Sequence, residues 1–254
     1  MSPTEPPLPQ SSPPRECRDC RLRPLEAFGA LQPAEIEHIQ QFRRKTQALP
    51  AGAPIIAERQ GGTHLFTLYS GWAFRYKTLR DGRRQILNFL LPGDFIGLQE
   101  KFADGDTPGV EALTDVQLCV FPLGGLWPMF QAFPRLGYDV TWLAAREEHW
   151  VDQHLLTAGR RSALERVAML LIHLYRRAER LGMAVNAELP FPLTQQHIAD
   201  VLGLSLVHTN KTLRRLHRLG LHRLEDGRLR ILDPHALEHL ADYYERPLRV
   251  SPLI

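Results

Sequence analysis

One stretch of the sequence, residues 193–219, restricts the possible fold more than any other. Thr194 can cap a helix, Gly203 can take the left-handed backbone that ends it, and Ser205 can cap a second helix directly afterwards. The apolar stripe of the first helix would be Ile198, Val201 and Leu202. The inward positions of the second helix would be Thr209, Leu213, Leu216 and Leu219. This order predicts a helix-turn-helix, and an ordinary pair of packed helices is the alternative.

Positive charge is concentrated in the second helix and in the segment that follows it. Residues 205–230 carry seven basic side chains against two acidic ones, whereas the whole chain of 254 residues has a net charge of only +3. The basic residues are Lys211, Arg214, Arg215, Arg218, Arg223, Arg228 and Arg230. Such asymmetry is typical of a surface that binds the phosphate backbone of nucleic acid.

A hairpin is predicted after the second helix. Residues 221–232 alternate between apolar and polar side chains around Asp226-Gly227, which is a strong signal for a tight turn between two strands. The helix-turn-helix is therefore predicted to be winged, within a DNA-binding domain that spans residues 161–245.

The composition limits the class of protein. At 44% hydrophobic residues, the chain has enough apolar material for two modest domains. No apolar run is long enough to span a bilayer, and the N-terminus lacks the basic start and apolar core of a signal peptide. These observations predict a cytoplasmic protein with no membrane partner. Three cysteines are too few for a disulfide framework.

The part of the chain before residue 161 is predicted to contain three further regions. Residues 1–24 form a proline-rich, disordered arm that carries the pair Cys17-x-x-Cys20. Residues 25–130 contain short β-rich runs that are separated by glycine and proline turns, which predicts a small antiparallel barrel or jelly roll. Residues 131–160 form a long helix. The fold class is therefore α+β.

The long helix is predicted to mediate dimerisation, with a helix buried inside a monomer as the alternative. An apolar seam runs along it at close to heptad spacing. The predicted interface residues are Leu136, Val140, Leu143, Glu147, Trp150 and His154.

A β-roll, a long helix and a C-terminal winged helix-turn-helix, in this order, resemble the Crp/Fnr family of bacterial transcription regulators. Besides residues 193–219, the segment 91–97 (Leu-Pro-Gly-Asp-Phe-Ile-Gly) carries the resemblance, which covers about residues 17–240 and is nearest to the FixK and Fnr branches. The resemblance implies a roll like the cyclic-nucleotide-binding jelly roll. It also implies a homodimeric activator that binds a palindromic site on double-stranded DNA, with half-sites about one helical turn apart, and recruits RNA polymerase.

Two departures from the family pattern concern the effector. In members that bind cyclic AMP, a glutamate binds the ribose and an Arg-Ser/Thr pair binds the phosphate, but here these positions hold Leu98 and Pro108-Gly109. A phosphate without a cation and hydrogen-bond donors is poorly held, so a response to cyclic AMP is not expected.

The cysteines leave three hypotheses open. Cys17, Cys20 and Cys119 match three of the four ligands of the [4Fe-4S] cluster in Fnr proteins, whereas the remaining position is Glu26. The alternatives to an iron-sulfur cluster are a thiol or other metal switch and a regulator that works independently of its cysteines. The histidines of the sensory half show no spacing that selects a haem ligand.

The resemblance also implies which residues contact DNA. Bases would be contacted by Leu206, Val207, Asn210 and Lys211. The usual glutamate is replaced by Val207 and the usual arginine by Lys211, which predicts a half-site different from the standard one of the family. Contacts to the DNA backbone are predicted for Thr194, Ser205, His208, Thr212, Arg214, Arg215 and Arg228.

An enzyme is the alternative from another class. Cupin-type metal enzymes share a small β-roll, but they need a close His-x-His pair, which His64 lacks. Since the sequence shows no converging acid, base, nucleophile or metal triad, no enzymatic activity is expected.

Overall fold

The structure is a computed structural model that describes residues 14–101, 106–243 and 250–254. After a 3-10 turn at Cys17–Asp19 comes helix α1 (Pro33–Phe42), and then the roll. The strands of the roll are β1 (Lys45–Leu49), β2 (Pro54–Ile56), β3 (His64–Ser70), β4 (Ala73–Thr78), β5 (Arg84–Leu90), β6 (Phe95–Ile96), β7 (Gly109–Ala112) and β8 (Val116–Pro122).

These strands form two antiparallel sheets of four strands each, in the orders β1-β8-β3-β6 and β2-β7-β4-β5. The predicted antiparallel roll is therefore confirmed. Strand β3 is buried at six of its seven positions because both of its faces are covered. Phe66 and Leu68 face the core between the sheets, whereas Leu65 packs against helices and other segments outside the roll.

Two helices follow the roll, namely α2 (Leu126–Ala132) and α3 (Pro134–Arg160). Pro134 occupies the first turn of α3, where its missing N–H costs nothing. Leu136, Val140 and Leu143 are all buried in one cluster with Phe121 of the roll. One face of α3 is thus fixed on its own protomer.

The C-terminal part contains α4 (Ala163–Arg180), α5 (Gln195–Leu202), α6 (Leu206–Arg218) and α7 (Pro234–Ala241). Three short strands, β9 (Glu188–Pro190), β10 (His222–Glu225) and β11 (Arg228–Ile231), form an antiparallel sheet in the order β10-β11-β9. Helices α5 and α6 are the predicted helix-turn-helix, and the β10-β11 hairpin is the predicted wing.

The predicted helix boundaries of the helix-turn-helix are confirmed. The side chain of Thr194 accepts a hydrogen bond from His197 N at 3.2 Å, and that of Ser205 accepts one from His208 N at 3.2 Å. Gly203 has the left-handed backbone, with φ 63°. The prediction for Leu219 is wrong, because α6 ends at Arg218 and leaves this side chain 55% exposed.

The predicted arm of residues 1–24 is wrong for its second half. Residues 1–13 lie outside the described residues, but residues 14–24 pack on the roll. Cys17 and Leu22 are buried, and Cys17 N donates a hydrogen bond to Gln40 Oε1 of α1 at 2.5 Å. The burial of these apolar side chains outweighs the local preference for an extended chain.

The roll and the C-terminal part share one hydrophobic core. Trp72 of the roll contacts Phe191 edge to face, with ring centroids 6.3 Å apart, and Gln85 Nε2 donates to the carbonyl oxygen of Val201 on α5 at 3.1 Å. Within the described ranges, no helix combines the length and apolar character needed to cross a membrane.

Candidate DNA-binding interface

Helix α6 has one buried face and one exposed face. Thr209, Leu213 and Leu216 are buried against the rest of the C-terminal core. The opposite face is exposed over three turns and carries Val207, Lys211, Arg214 and Arg218 at intervals of three and four residues. An exposed basic helix face of this length can enter the major groove of DNA.

The four predicted base-contacting residues lie on the first half of this face. Leu206 and Val207 are 46% and 66% exposed, which is unusual for aliphatic side chains and leaves them free for apolar contact with a ligand. Lys211 is exposed one turn further on. Asn210 is half-buried, and its Nδ2 donates to Gln195 Oε1 of α5 at 2.8 Å.

The hydrogen bond from Asn210 identifies a residue that the sequence analysis missed. Gln195 is the first residue of α5, is exposed, and holds the amide of Asn210 in one orientation. The sequence feature that could have identified Gln195 is its position directly after the cap Thr194, in the exposed first turn of α5.

Three of the seven predicted contacts to the DNA backbone, Arg214, Arg215 and Arg228, are exposed and basic. Within the described part of the chain, Lys211, Arg214 and Arg215 have no carboxylate at ion-pair distance. Thr194 and Ser205 cap the N-termini of α5 and α6, where unpaired backbone N–H groups favour an anion. His208 is exposed in the first turn of α6.

Thr212 does not fit its predicted role as a phosphate contact. It is 6% exposed, and its Oγ1 donates to the carbonyl oxygen of His208 at 2.8 Å. A hydroxyl that is bonded to its own helix and buried below the surface cannot reach a phosphate, so the hydrogen bond of Thr212 is satisfied within α6 instead.

Two arginines of the wing lie beside the same acidic residue. Arg228 and Arg230 lie 3.9 and 4.0 Å from the carboxylate of Glu188 on β9, and both guanidiniums are about half exposed. Ion pairs of this length between exposed groups are weak, so a phosphate can replace the carboxylate.

The structure contradicts the predicted dimer interface on α3 for three of its six residues, whereas the role of the half-buried Glu147, Trp150 and His154 stays a prediction. Leu136, Val140 and Leu143 are buried in their own protomer. The other three predicted residues also face their own chain. Glu147 pairs with Arg75 at 3.2 Å, Trp150 lies 4.2 Å from the ring of His173, and His154 Nδ1 lies 2.8 Å from the carbonyl oxygen of Leu87.

A second stripe on α3 is exposed. Its members are Thr141, Ala144, Glu148, Val151 and Leu155, which follow one another at intervals of three and four residues. Val151 and Leu155 are 53% and 71% exposed. Alternating spacing of this kind matches the a and d positions of a coiled coil.

Asp94 joins the roll to both long helices. Its Oδ1 lies 3.0 Å from Arg146 Nη2 of α3, its Oδ2 lies 2.6 Å from Arg177 Nη2 of α4, and Leu91 N donates to Oδ2 at 2.8 Å. Burial alone would raise the pKa of Asp94, but the two guanidiniums outweigh burial and lower it. The carboxylate is therefore ionised and fixes α3 and α4 to the same turn.

A pocket of about 190 Å³ lies between the roll and the exposed face of α3. Leu98 and Pro108, at the positions of the missing nucleotide anchors, line it, and its cation Arg75 is already paired with Glu147. The Tyr76 ring occupies the space that a side chain at position 109 of β7 would need, so no larger residue that could bind a phosphate fits at Gly109. Ligand cavities commonly exceed about 300 Å³. The pocket therefore does not fit a cyclic nucleotide.

The three cysteines line one small cavity of about 20 Å³ in the roll. Burial raises the pKa of the Cys17 thiol, and burial raises the pKa of Cys119 to about 11. Glu26, at the position of the fourth cluster ligand, is exposed and does not line the cavity. Among residues 14–101, 106–243 and 250–254, no group of three or more histidine, cysteine, aspartate or glutamate side chains is arranged so that it could hold a metal ion. Three cysteines without a fourth ligand do not fit the four-cysteine arrangement that is usual for a [4Fe-4S] cluster.

The two halves of the chain match two known domain families. Residues 46–133 match the cyclic nucleotide-binding domain, and residues 165–240 match the Crp-like helix-turn-helix domain. The nitrogen fixation regulation protein FixK of Bradyrhizobium diazoefficiens is 32% identical over 225 residues, which cover 89% of this chain and 93% of that protein. The transcriptional activatory protein AadR of Rhodopseudomonas palustris is 32% identical over 224 residues, with coverage of 87% and 91%.

The fold comparison agrees with these relatives. The structure of FixK2 from Bradyrhizobium japonicum superposes with a TM-score of 0.69 at 26% sequence identity, covering 77% of this chain and 96% of that one. The relatives are transcription regulators rather than enzymes. With its antiparallel roll, long helix and exposed basic recognition helix, the chain belongs to the Crp/Fnr family of transcription regulators.

Proposed function

We propose that the protein is a homodimeric activator that binds a palindromic promoter site through α6 and recruits RNA polymerase. The observation that carries the proposal is the exposed face of α6, where Val207 and Lys211 are free to contact bases and the arginines behind them are free to contact phosphates. We divide the chain by function into a sensory roll up to residue 130, a dimerisation helix over 131–160 and a DNA-binding domain over 161–245. Because its target is chromosomal DNA, we expect it to act in the cytoplasm.

The exposed stripe of α3 supports the dimer. Crp/Fnr regulators bind DNA as dimers, and a pair of α3 helices related by a two-fold axis would bury Ala144, Val151 and Leu155 of each chain. The small side chain of Ala144 permits a close approach of the two helices. Such a dimer would place its two α6 helices on half-sites about one helical turn apart.

Each α6 helix is proposed to contact bases with Leu206, Val207, Asn210 and Lys211. Val207 can make apolar contact with a thymine methyl group, whereas Lys211 can donate to guanine O6 and N7. Gln195 orients Asn210 towards the same groove. Arg214, Arg215 and Arg228 then neutralise phosphates and set the register of the helix in the groove.

Regulation by cyclic AMP is not part of the proposal. The pocket beside α3 offers Leu98 and Pro108 where ribose and phosphate anchors would be needed, and its cation Arg75 is paired with Glu147.

Selection from a randomised pool of double-stranded DNA tests the proposal. The wild-type protein should enrich one palindrome, and Lys211→Ala should weaken binding to it and relax the preference at one position of each half-site by about 1–3 kcal/mol. Lys45→Ala, which removes an exposed lysine from β1 of the roll, is the matched control and should bind like the wild type. Enrichment of no sequence, or equal losses in both variants, would refute the role of α6.

Transcription from a promoter that carries the enriched palindrome tests activation. With purified bacterial RNA polymerase, the added protein should raise the yield of transcript, and Lys211→Ala should raise it less at the same concentration. A fall in transcript yield on addition of the wild-type protein would make the protein a repressor at this site.

A further inference from the structure

The segment 250–254 lies in a groove of the roll, although it follows the DNA-binding domain in the chain. Its backbone pairs with the segment after the first 3-10 turn, since Ser251 N donates to the carbonyl oxygen of Ala27 at 2.9 Å and Gly29 N donates to that of Ser251 at 3.0 Å. At its far end, the buried Thr67 Oγ1 donates to the carbonyl oxygen of Ile254 at 2.5 Å. These bonds hold the segment at both ends.

The side chains of this segment divide between core and solvent. Leu253 is 3% exposed and packs with Leu22, Phe28 and Tyr69, and Ile254 is 5% exposed in the cluster that includes Phe121 and the buried face of α3. Val250, by contrast, is 53% exposed. Two large apolar side chains of one short segment are thus buried in hydrophobic clusters that the roll forms with the segments and helices packed outside it.

The groove is also where the cysteines lie. Leu253 and Ile254 line the same cavity of about 20 Å³ as Cys17, Cys20 and Cys119. The two side chains therefore form part of the wall that separates the thiols from solvent. Removing them would open this wall on the side of Thr67 and Tyr69, which also line the cavity.

One further contact connects the segment to the long helices. Arg146 of α3 donates from Nη1 to Ser251 Oγ at 2.6 Å, and its Nη2 pairs with Asp94. The guanidinium thus holds the segment and the turn that fixes α3 and α4. Arg146 therefore contacts both the docked segment and Asp94, the residue that fixes α3 and α4.

We propose that the segment 250–254 is an intramolecular latch, which docks in the groove of the roll, limits the access of solvent to the three cysteines and ties the end of the DNA-binding domain to the sensory half. When the latch is docked, Cys17 is buried and Cys20 and Cys119 are half-buried, so reagents reach the thiols slowly. When it is released, the thiols open and Arg146 loses its bond to Ser251. The groove is accordingly a docking surface for an extended apolar segment of this chain.

The test is the rate at which iodoacetamide alkylates each cysteine in the native full-length protein, resolved by mass spectrometry. Leu253→Asp places a charge in the groove and should raise the rates at Cys17 and Cys119 at least tenfold. Val250→Asp, the same change at an exposed position of the segment, should stay within twofold of the wild type. An increase of less than fivefold in Leu253→Asp, or the same increase in both variants, would overturn the proposal.

A second variant separates release of the latch from damage to the roll. Deletion of residues 250–254 should give fast alkylation, and a saturating peptide Val-Ser-Pro-Leu-Ile should restore protection to within threefold of the wild type, because it occupies the vacated groove. The peptide Val-Ser-Pro-Asp-Ile should restore none. Fast alkylation that persists with the first peptide, or that both peptides suppress equally, would overturn the proposal.

Discussion

At the scale of single residues, two buried titratable groups lead to predictions about stability. Asp94 is an ionised carboxylate between two guanidiniums from different helices, and His222 is a neutral imidazole at the base of the wing. Both groups are buried, so their surroundings, rather than solvent, decide their charge. Each leads to a prediction about the free energy of unfolding.

Asp94→Asn should lower the free energy of unfolding by about 3–5 kcal/mol, because it leaves Arg146 and Arg177 without a compensating charge. Urea unfolding followed by circular dichroism measures the loss. Asp81→Asn is the control, since Asp81 is exposed and pairs only with its neighbour Arg83, and it should keep the wild-type midpoint. A midpoint for Asp94→Asn equal to that of the control would contradict the role of Asp94.

His222 should make the protein less stable in acid. Burial, together with the nearby His217, lowers the pKa of His222 to about 4, so below about pH 6.5 the unfolded chain takes up a proton that the folded chain refuses. Between pH 7 and pH 5 this costs about 2 kcal/mol. His222→Gln should therefore lose about 2 kcal/mol less than the wild type over this interval in urea unfolding. Equal losses would show that His222 titrates normally.

At the scale of elements, helix caps could be predicted from the sequence, but the packing partner of α3 could not. The caps at Thr194, Gly203 and Ser205 were predictable because capping depends on a few neighbouring residues. The contacts of α3 were not. Its apolar seam predicted one packing face, but periodicity does not say whether that face meets its own roll or a second chain. The roll covers the seam, and the stripe of smaller side chains remains exposed.

Other elements leave no clear signal in the sequence for related reasons. Strands β1, β6 and β7 are short or mostly polar, so they exist only through pairing with distant strands, such as Lys45 of β1 with Val120 of β8. The segment 250–254 has no pattern of its own, and its place in the roll depends on residues more than a hundred positions away, such as Thr67. Thr212 looked polar and free in the sequence, whereas the helix turns it inward.

The exposed stripe of α3 gives a prediction for the dimer. Leu155→Asp should weaken self-association on the order of 30-fold or more, since Leu155 is 71% exposed in the protomer and would be buried in the dimer. Sedimentation equilibrium measures the dissociation constant. Trp127→Asp changes an equally exposed apolar residue on α2 and should leave the dimer intact. Wild-type self-association of Leu155→Asp would place the interface elsewhere.

At the scale of the whole molecule, the roll and the C-terminal part are connected by direct contacts. They share one core, α3 and α4 both hold Asp94, and α5 rests on β5 through Gln85. A structural change in the roll or at the exposed stripe of α3 would therefore act through these contacts on the position of α6. The exposed face of α6 is the part of the molecule on which the proposed activity depends.

The most direct test of the account is the base preference of Val207→Glu. A carboxylate at this position can accept a hydrogen bond from cytosine N4, which valine cannot. Relative affinities should be measured for the palindrome that the wild type enriches and for versions with a C·G pair at each position in turn. We predict that Val207→Glu shifts the preference towards C·G at one position of each half-site by about 1–3 kcal/mol, or roughly 5- to 150-fold. An unchanged order of preference at every position would contradict the proposal that α6 reads the DNA sequence.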